Sequence, residues 1–411
     1  MLKNRFKLLL ILLCGFCFPA AAYTQETLRG INATSWFTWP RFNSFDGPGV
    51  YWPPFPPNRH MPERGDFQTI RALGFNTIRI GVDPALVMGL SGQHLDIVER
   101  QILESVKEAQ NNDLVVIVDV HPNSKHKIYG QSAFKVMDGG TAELDYIGAI
   151  KELARMLAAL PSDKIILEVM NEPRIKCVGE DEISWQSFLK RVVLEVRQTE
   201  PGLQLMLSGS CASSIDGLVA LDPSEWRDEN LYFTFHFYDP FPFTHQSAAF
   251  TPWPEKYLVG LPWPPRTDVD MTKLRSAAEE RIGELVVPDK DKAMQDAENV
   301  LKKYLSSGAN ADTLSQRLKL VADWADKNHI ARSHIFLGEF GVYHDTEKGI
   351  GATCDDRAAW VNDVRSDADK LGFSWSYFHL DGPFGIFNAP TAQPDYALLK
   401  ALGLQKTGNC N

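Results

Sequence analysis

The chain has 411 residues, is 44% hydrophobic and carries 42 basic against 52 acidic side chains, a net charge of −10. A chain of this length can fill one large core, and we expect a single enzyme-sized domain. The acidic balance argues against nucleic acid or an anionic membrane as a partner, whereas a neutral polymer would not be repelled.

The first residues have the pattern of an export signal. Lys3, Arg5 and Lys7 precede an apolar run from Leu8 to Phe18, and small residues follow at positions 20–22. An uncleaved membrane anchor is the alternative, but the apolar run is short for a bilayer span. We predict that residues 1–22 are removed and that the mature chain, residues 23–411, is secreted or periplasmic. Its 39 basic residues then face 52 acidic ones, a net charge of −13.

Eight short apolar or β-branched runs alternate with segments of helical periodicity. The runs are Leu28–Trp36, Asn76–Val82, Leu114–His121, Ile165–Asn171, Leu203–Ser208, Leu231–Tyr238, Ile335–Glu339 and Phe373–Phe378. The helical segments include Phe67–Leu73, Leu95–Gln110, Leu144–Leu160, Ile183–Thr199 and Leu314–Asn328. This alternation predicts an α/β fold, a (β/α)8 TIM barrel. An open doubly wound sheet is the alternative, but no Gly-rich phosphate loop follows the first run.

Two stretches are longer than connections require. Residues 40–62 are rich in Pro, Gly and aromatic side chains, which predicts an irregular loop that caps one side of a cleft. Residues 240 to about 310 begin with aromatics among prolines and continue into charged helical segments near 271–285 and 290–305. We interpret the second stretch as a long insertion after strand six.

The cysteines point to disulfides. Removal of the leader leaves Cys177, Cys211, Cys354 and Cys410, an even number in a chain bound for an oxidising compartment. Four cysteines allow three pairings, and proximity along the chain favours Cys177 with Cys211 and Cys354 with Cys410. A zinc site is the alternative, but no CxxC motif or His cluster accompanies these cysteines.

Functional groups of such barrels stand at the C-terminal ends of the strands. The polar and aromatic residues found there are Arg79, His121, Asn171, Glu172, His236, Tyr238, Glu339 and Trp375. Each has an ordinary structural explanation when taken alone, as half of an ion pair, a hydrogen-bonded core histidine or a packed ring. Independent structural roles would rarely place all of them at strand ends of one chain.

Glu172 and Glu339 fit the two needs of glycosidic bond cleavage, a proton donor for the leaving oxygen and a carboxylate on the other side of the anomeric carbon. A separation of about 5 Å would give retention, and about 6.5 Å or more would favour inversion. We expect Arg79 and Tyr238 to keep Glu339 ionised, and the less compensated Glu172 to have a raised pKa. Asn171 could bind the 2-hydroxyl of the reacting sugar.

These residues resemble glycoside hydrolase family five, the cellulase family of retaining (β/α)8 glycosidases. Asn-Glu-Pro at 171–173 is similar to its strand-four signature and Gly-Glu-Phe-Gly at 338–341 to its nucleophile segment. The resemblance implies Glu172 as acid/base and Glu339 as nucleophile. It also implies substrate contacts from Arg79, His121, Asn171, His236, Tyr238 and Trp375, the last as a sugar platform. The insertion after strand six departs from the family and leaves substrate length and linkage open.

The resulting hypothesis is a retaining glycoside hydrolase that cleaves β-linked glucan, with endo-β-1,4-glucanase (cellulase) as the first choice. β-Mannanase and exo-β-1,3-glucanase are the alternatives. More distant alternatives are a transglycosylase and a non-hydrolytic carbohydrate-binding protein in polysaccharide export. We expect a monomer that needs no cofactor or metal and whose partner is a β-glucan or a related polysaccharide or oligosaccharide.

Overall fold

The computed structural model describes residues 27–134, 139–177, 179–226, 228–387 and 393–410. The predicted leader, residues 1–22, lies outside the described residues. Eight parallel strands close into a barrel in the order β1-β8-β7-β6-β5-β4-β3-β2, which confirms the predicted fold. The strands are β1 Arg29–Phe37, β2 Thr77–Val82, β3 Val115–Val120, β4 Ile165–Glu168, β5 Gln204–Ser208, β6 Leu231–His236, β7 Ile335–Glu339 and β8 Ser374–Tyr377.

Helices connect the strands and cover the barrel. Their bounds are Arg64–Ala72, Ala85–Gly89, Gln93–Asn111, Thr141–Leu157, Glu180–Arg197, Ser210–Ser213, Ile215–Ala220, Phe241–Thr244, Met271–Glu284, Lys290–Leu305, Ala311–Lys327, Cys354–Leu371 and Tyr396–Ala401. The helix Ala311–Lys327 shows the common logic, since Leu314, Leu318 and Val321 repeat on one buried face and Asn310 caps its N-terminus.

Side chains alternate between the barrel interior and the helical layer, as the pleat of a strand requires. Ile117, Ile166, Met206, Tyr232 and Phe336 form a small apolar cluster of their own, separate from the main core between strands and helices. Asp119 and Glu168 follow Ile117 and Ile166 by two residues and are buried on the same side of their strands. The barrel interior therefore becomes polar towards the C-terminal ends of the strands.

The insertion after β6 contains the two predicted helices, Met271–Glu284 and Lys290–Leu305. Within the insertion, Leu261 N–H donates to Gln246 (2.8 Å) and Arg281 donates to the carbonyl of Ser247 (3.0 Å). The insertion also contacts the segment after β7, because Gly351 N–H donates to the hydroxyl of Ser247 (3.0 Å). A two-stranded ribbon, His344–Asp345 with Ile350–Gly351, follows β7. The insertion is therefore part of the rim around the barrel mouth.

Both predicted disulfide pairings are confirmed. Cys177 bonds Cys211 and Cys354 bonds Cys410, with Cα–Cα distances of 5.1 and 5.7 Å. The first joins the loops that follow β4 and β5, and the second joins the chain's C-terminal region to the start of the helix Cys354–Leu371. Within the described part of the chain, no helix is both long and apolar enough to cross a membrane.

Candidate active site

Arg79, on β2, is the centre of a buried ionic network at the barrel mouth. Its guanidinium donates to both carboxylate oxygens of Glu168 (2.7 and 2.9 Å), to Oε1 of Glu339 (2.9 Å) and to Oδ1 of Asn171 (3.0 Å). It also lies 3.1 Å from Asp119. Arg79, Glu168 and Asp119 are fully buried. Burial alone would lower the pKa of Arg79, but the three carboxylates raise it well above its usual value.

A register shift between β6 and β7 directs Glu339 into the site. Phe235 pairs with Leu337, whereas the next residue, His236, pairs with Glu339, so β7 contains one extra residue. Such bulges re-aim the following side chain. The extra residue is Gly338, where a Cβ would lie 2.6 Å from the hydroxyl of Thr234. Only glycine therefore fits at this bulge without displacing its neighbours.

The two predicted catalytic carboxylates lie close together. An oxygen of Glu172, a ring nitrogen of His236 and an oxygen of Glu339 all lie within 4.8 Å of one another. Tyr238 donates its phenolic proton to Oε2 of Glu339 at 3.0 Å. His236 Nδ1 is 3.0 Å from Oε1 of Glu172 and 3.5 Å from Oε2 of Glu339. One oxygen of each carboxyl group thus lies closer to the other than the separation of about 5–5.5 Å typical of retaining pairs, and well inside the 6.5 Å or more, roughly, of inverting pairs.

Glu172 is held in an unusual backbone conformation. It follows β4 by four residues and has φ of 43°, in the left-handed region that residues with a Cβ rarely adopt. The next residue, Pro173, accepts a hydrogen bond from Ala212 N–H at 2.9 Å, and Ala212 neighbours the disulfide-bonded Cys211. The loop after β5 therefore helps to hold the loop that carries Glu172.

The prediction of a raised pKa for Glu172 is wrong for the resting site. Burial alone would raise this pKa, but the hydrogen bond and positive charge of His236 outweigh burial and lower it. Burial likewise disfavours protonated His236, yet the charges of Glu339 and Glu172 raise the pKa of this ring. The sequence did not reveal that His236 Nδ1 faces Glu172, so the prediction left out the group that lowers the pKa of Glu172.

His121 and Asn171 complete the polar group as predicted. Nδ1 of His121 is 2.8 Å from Asp119, and its Nε2 is 3.4 Å from the amide nitrogen of Asn171. Burial would lower the pKa of His121, but the charge of Asp119 and its hydrogen bond raise it. The structure thus brings together seven of the eight predicted site residues.

The exception is Trp375, and its prediction as a sugar platform is wrong. Trp375 is fully buried, donates its indole N–H to Asp369 at 3.1 Å and packs edge-on against Phe340. Its neighbour Ser376 faces the interior and accepts a hydrogen bond from Asn32 at 2.9 Å. Because strand side chains alternate, Trp375 faces the helices, and Phe378, two residues after Ser376, borders the cleft.

Both carboxylates of the predicted pair, Glu172 and Glu339, border a cavity of about 140 Å³. It is lined by Thr34, Trp39, His121, Asn171, Glu172, Tyr238, His245, Phe250, Glu339, Phe378 and Phe384. The sequence did not predict that Trp39, Phe250, Phe378 and Phe384 line this cavity. It also did not single out the buried carboxylates Asp119 and Glu168. Both acidic residues carried a signal, since each is a charged residue inside an otherwise apolar strand.

The spacing of Glu172, His236 and Glu339 would also suit a cation. However, Arg79 and Tyr238 donate to the two oxygens of Glu339, and His236 binds Glu172. A cation would have to compete with these donors and with the positive charge of Arg79. The donor set therefore fits a carboxylate pair engaged in proton transfer and nucleophilic attack better than a metal centre.

Comparison with known proteins agrees with this geometry. The Cellulase model (glycosyl hydrolase family 5) matches residues 32–382. Endoglucanase C of Acetivibrio thermocellus is 22% identical over 347 residues, 83% of this chain and 91% of that protein. Endoglucanase 3 of Fibrobacter succinogenes is 22% identical over 236 residues, 57% of this chain, which thus spans about a third (32%) of that relative.

Among solved structures, the Clostridial cellulose synthase subunit Z from Clostridioides difficile has a TM-score of 0.63 and 23% identity, with 92% of this chain and 99% of that chain covered. This likeness shows the shared barrel fold. The family match extends from the first strand to the loop after the last one and includes every strand end that contributes to the site. The chain therefore belongs to the cellulase family, glycosyl hydrolase family 5.

Proposed function

We propose that this chain is a retaining endo-β-1,4-glucanase in which Glu339 is the nucleophile and Glu172 the acid/base. The observation that carries the proposal is the approach of the two carboxylates to within 4.8 Å, with different partners on each. Glu339 accepts hydrogen bonds from two donors, Arg79 and Tyr238, which fix the orientation of its carboxylate. Glu172 faces His236, a group that can hold and return a proton.

In the first step, a carboxylate oxygen of Glu339 bonds to the anomeric carbon and the glycosidic C–O bond breaks. Glu172 receives a proton from His236 Nδ1, 3.0 Å away, and gives it to the leaving oxygen as this bond breaks. In the second step, Glu172 takes a proton from water and returns it to His236, while the water oxygen bonds to the anomeric carbon and the bond to Glu339 breaks. Asn171, held by Arg79 at 3.0 Å, is placed to bind the sugar 2-hydroxyl during both steps.

Endo action on β-1,4-glucan is supported by the shape of the cleft and by the relatives. A second cavity of about 530 Å³ shares Glu172, Tyr238, His245 and Phe250 with the smaller one, so the cleft continues beyond the reacting sugar. Such a continuation suits attack within a chain. Relatives that match 83% and 57% of this chain are named endoglucanases.

We further propose that the protein acts outside the cytoplasm as a monomer on β-glucan. Two disulfides are typical of proteins that fold in an oxidising compartment. The basic and apolar pattern of residues 1–22 is that of a cleaved export signal.

The test is anomer-resolved NMR of early products from cello-, manno- and laminari-oligosaccharides. Wild type, Glu172→Gln, Glu339→Gln and the surface control Glu104→Gln are compared. The proposal predicts β-anomer first from the cello-series, activity in the control, and loss in both site variants. An α-anomer as first product would contradict retention, and binding without turnover of any sugar would favour the non-hydrolytic carbohydrate-binding function.

A further inference from the structure

The segment Thr244-His245-Gln246 lies in the insertion, directly after β6, and borders the cleft. Most of its polar atoms hold the loop itself. Gln246 accepts from Leu261 N–H at 2.8 Å and donates to the carbonyl of Phe243 at 2.9 Å. Thr244 donates its hydroxyl proton to the carbonyl of Tyr238 at 2.7 Å. His245 differs, because its ring lines both the small cavity and the larger one.

The hydrogen bond of Thr244 fixes the tautomer of His245. The hydroxyl oxygen of Thr244 is 3.0 Å from His245 Nδ1. The single hydroxyl proton points to the closer carbonyl of Tyr238, so Nδ1 must carry a proton and donate it to Thr244. Burial lowers the pKa of His245 to about 3, and the ring is therefore neutral near pH 7. With Nδ1 protonated, Nε2 is a hydrogen-bond acceptor.

The ring of His245 is also held by its neighbours. Phe241 stacks on it with centroids 3.8 Å apart and planes inclined by 15°. Tyr238 contacts it edge-on at 4.9 Å, and Phe384 lies at 5.4 Å. A ring held on several sides presents its acceptor in one direction without the entropy cost of ordering it when a ligand binds.

The larger cavity lies on the leaving-group side of the cleft. The small cavity contacts both Glu172 and Glu339, as the space for the reacting sugar must. The larger cavity contacts Glu172 and is lined further by Phe241, Trp253 and other residues of the insertion, whereas Glu339 does not border it. Because the acid protonates the leaving oxygen, the space next to Glu172 alone takes the departing sugar. Trp253, 55% exposed and edge-on to Phe241, adds an aromatic face there.

We propose that His245 is a specificity-determining residue of a leaving-group subsite built by the insertion, in which its Nε2 accepts a hydrogen bond from a hydroxyl of the departing glucosyl unit. The inference rests on the proposed function, since it assigns Glu172 to the leaving-group side. It predicts that His245 matters for sugar leaving groups and not for leaving groups that lack hydroxyls.

Cellotetraose and 2,4-dinitrophenyl β-cellobioside donate the same cellobiosyl group but differ in the leaving group. The first has a sugar leaving group and the second has one without sugar hydroxyls. His245→Asn keeps a donor to Thr244 but loses the acceptor towards the cleft, whereas the longer His245→Gln can place an oxygen near the position of Nε2. We expect His245→Asn to lower kcat/KM on cellotetraose by about tenfold, the effect of leaving one desolvated hydroxyl unpaired. The aryl substrate should stay within about twofold, and His245→Gln should recover most of the loss on cellotetraose.

Cellobiosyl transfer from the aryl donor to added cellobiose uses the same subsite and should fall in parallel with cellotetraose cleavage. Equal losses on both substrates, or no loss on either, would overturn the role of His245. Circular dichroism identifies any variant that does not fold. If His245→Asn does not fold, cellobiosyl transfer by His245→Gln still tests the role of His245. Wild-type protein that turns over neither substrate would instead refute the proposed glucanase function.

Discussion

Replacement of Arg79 by Met removes a guanidinium that contacts three buried carboxylates. Glu168, Asp119 and Glu339 all lie within 3.1 Å of Arg79 nitrogens, and the side chains of Glu168 and Asp119 are fully buried. Breaking a buried pair by deleting one partner costs about 3–5 kcal/mol, because the other charge stays buried without compensation. For a chain of this size the entropy of unfolding is about 0.8 kcal/mol/K, so the melting midpoint should fall by roughly 4–6 °C.

The deficit of Arg79→Met should depend on pH in a specified direction. Burial already raises the pKa of Glu168 despite the opposing charge of Arg79, and without Arg79 this pKa rises further. A carboxyl group with a folded pKa above its unfolded value of 4.5 binds more protons in the folded state between the two values. Stability therefore falls as pH rises through this window. The deficit should be largest near pH 7 and shrink towards pH 5.

Thermal and urea unfolding between pH 5 and about 8 measure this effect, with Arg357→Met as the matched control. Arg357 is equally buried, but it binds Asp395 and the uncharged oxygens of Tyr377, Phe384 and Gly385. Its loss should be destabilising with a weaker dependence on pH. A deficit in Arg79→Met that is constant from pH 5 to about 8, or that grows on acidification, would refute the electrostatic reasoning.

Three further predictions concern catalysis. Tyr238→Phe removes the hydroxyl that donates to Glu339 at 3.0 Å and should lower kcat on cello-oligosaccharides roughly 10- to 100-fold with little change in KM; an unchanged kcat would contradict its role. The kcat/KM profile should fall at a pH above 6.5, as His236 with its raised pKa loses the proton that it passes to Glu172, and a profile without this basic limb would refute that role of His236. Phe378→Ala should lower kcat/KM, whereas Trp375→Phe should lower the melting midpoint and leave KM unchanged; the reverse pattern would restore Trp375 to the site.

The barrel was predictable because its signals are local. Each strand is a short apolar run, and the predicted run Ile335–Glu339 coincides with β7. The run Ile165–Asn171 was too long, since β4 ends at Glu168 and the next residues form the loop that leads to the left-handed Glu172. An apolar run in the sequence does not show where ladder pairing stops, because that depends on the neighbouring strand.

The sequence predicted which strand ends contribute to the site, but not which way their side chains point. Position at a strand end identified Glu172 and Glu339. Whether Trp375 points to the interior or to the helices depends on the alternation of side chains along β8, in which Ser376 takes the interior position. The approach of His236 to Glu172 arises from two different strand ends that meet across the barrel mouth. Contacts of this kind have no sequence period, so the lowered pKa of Glu172 could not be foreseen.

The most direct test of the central claim is covalent trapping with 2,4-dinitrophenyl 2-deoxy-2-fluoro-β-cellobioside. The fluorine slows both steps, and the activated leaving group restores the first one, so the glycosyl-enzyme accumulates. We predict one fluorocellobiosyl group per chain by intact-mass spectrometry, located on Glu339 by peptide mapping and absent in Glu339→Gln. An adduct on Glu172 or on another residue, or turnover of cello-oligosaccharides with no adduct, would contradict the assignment of Glu339 as the nucleophile.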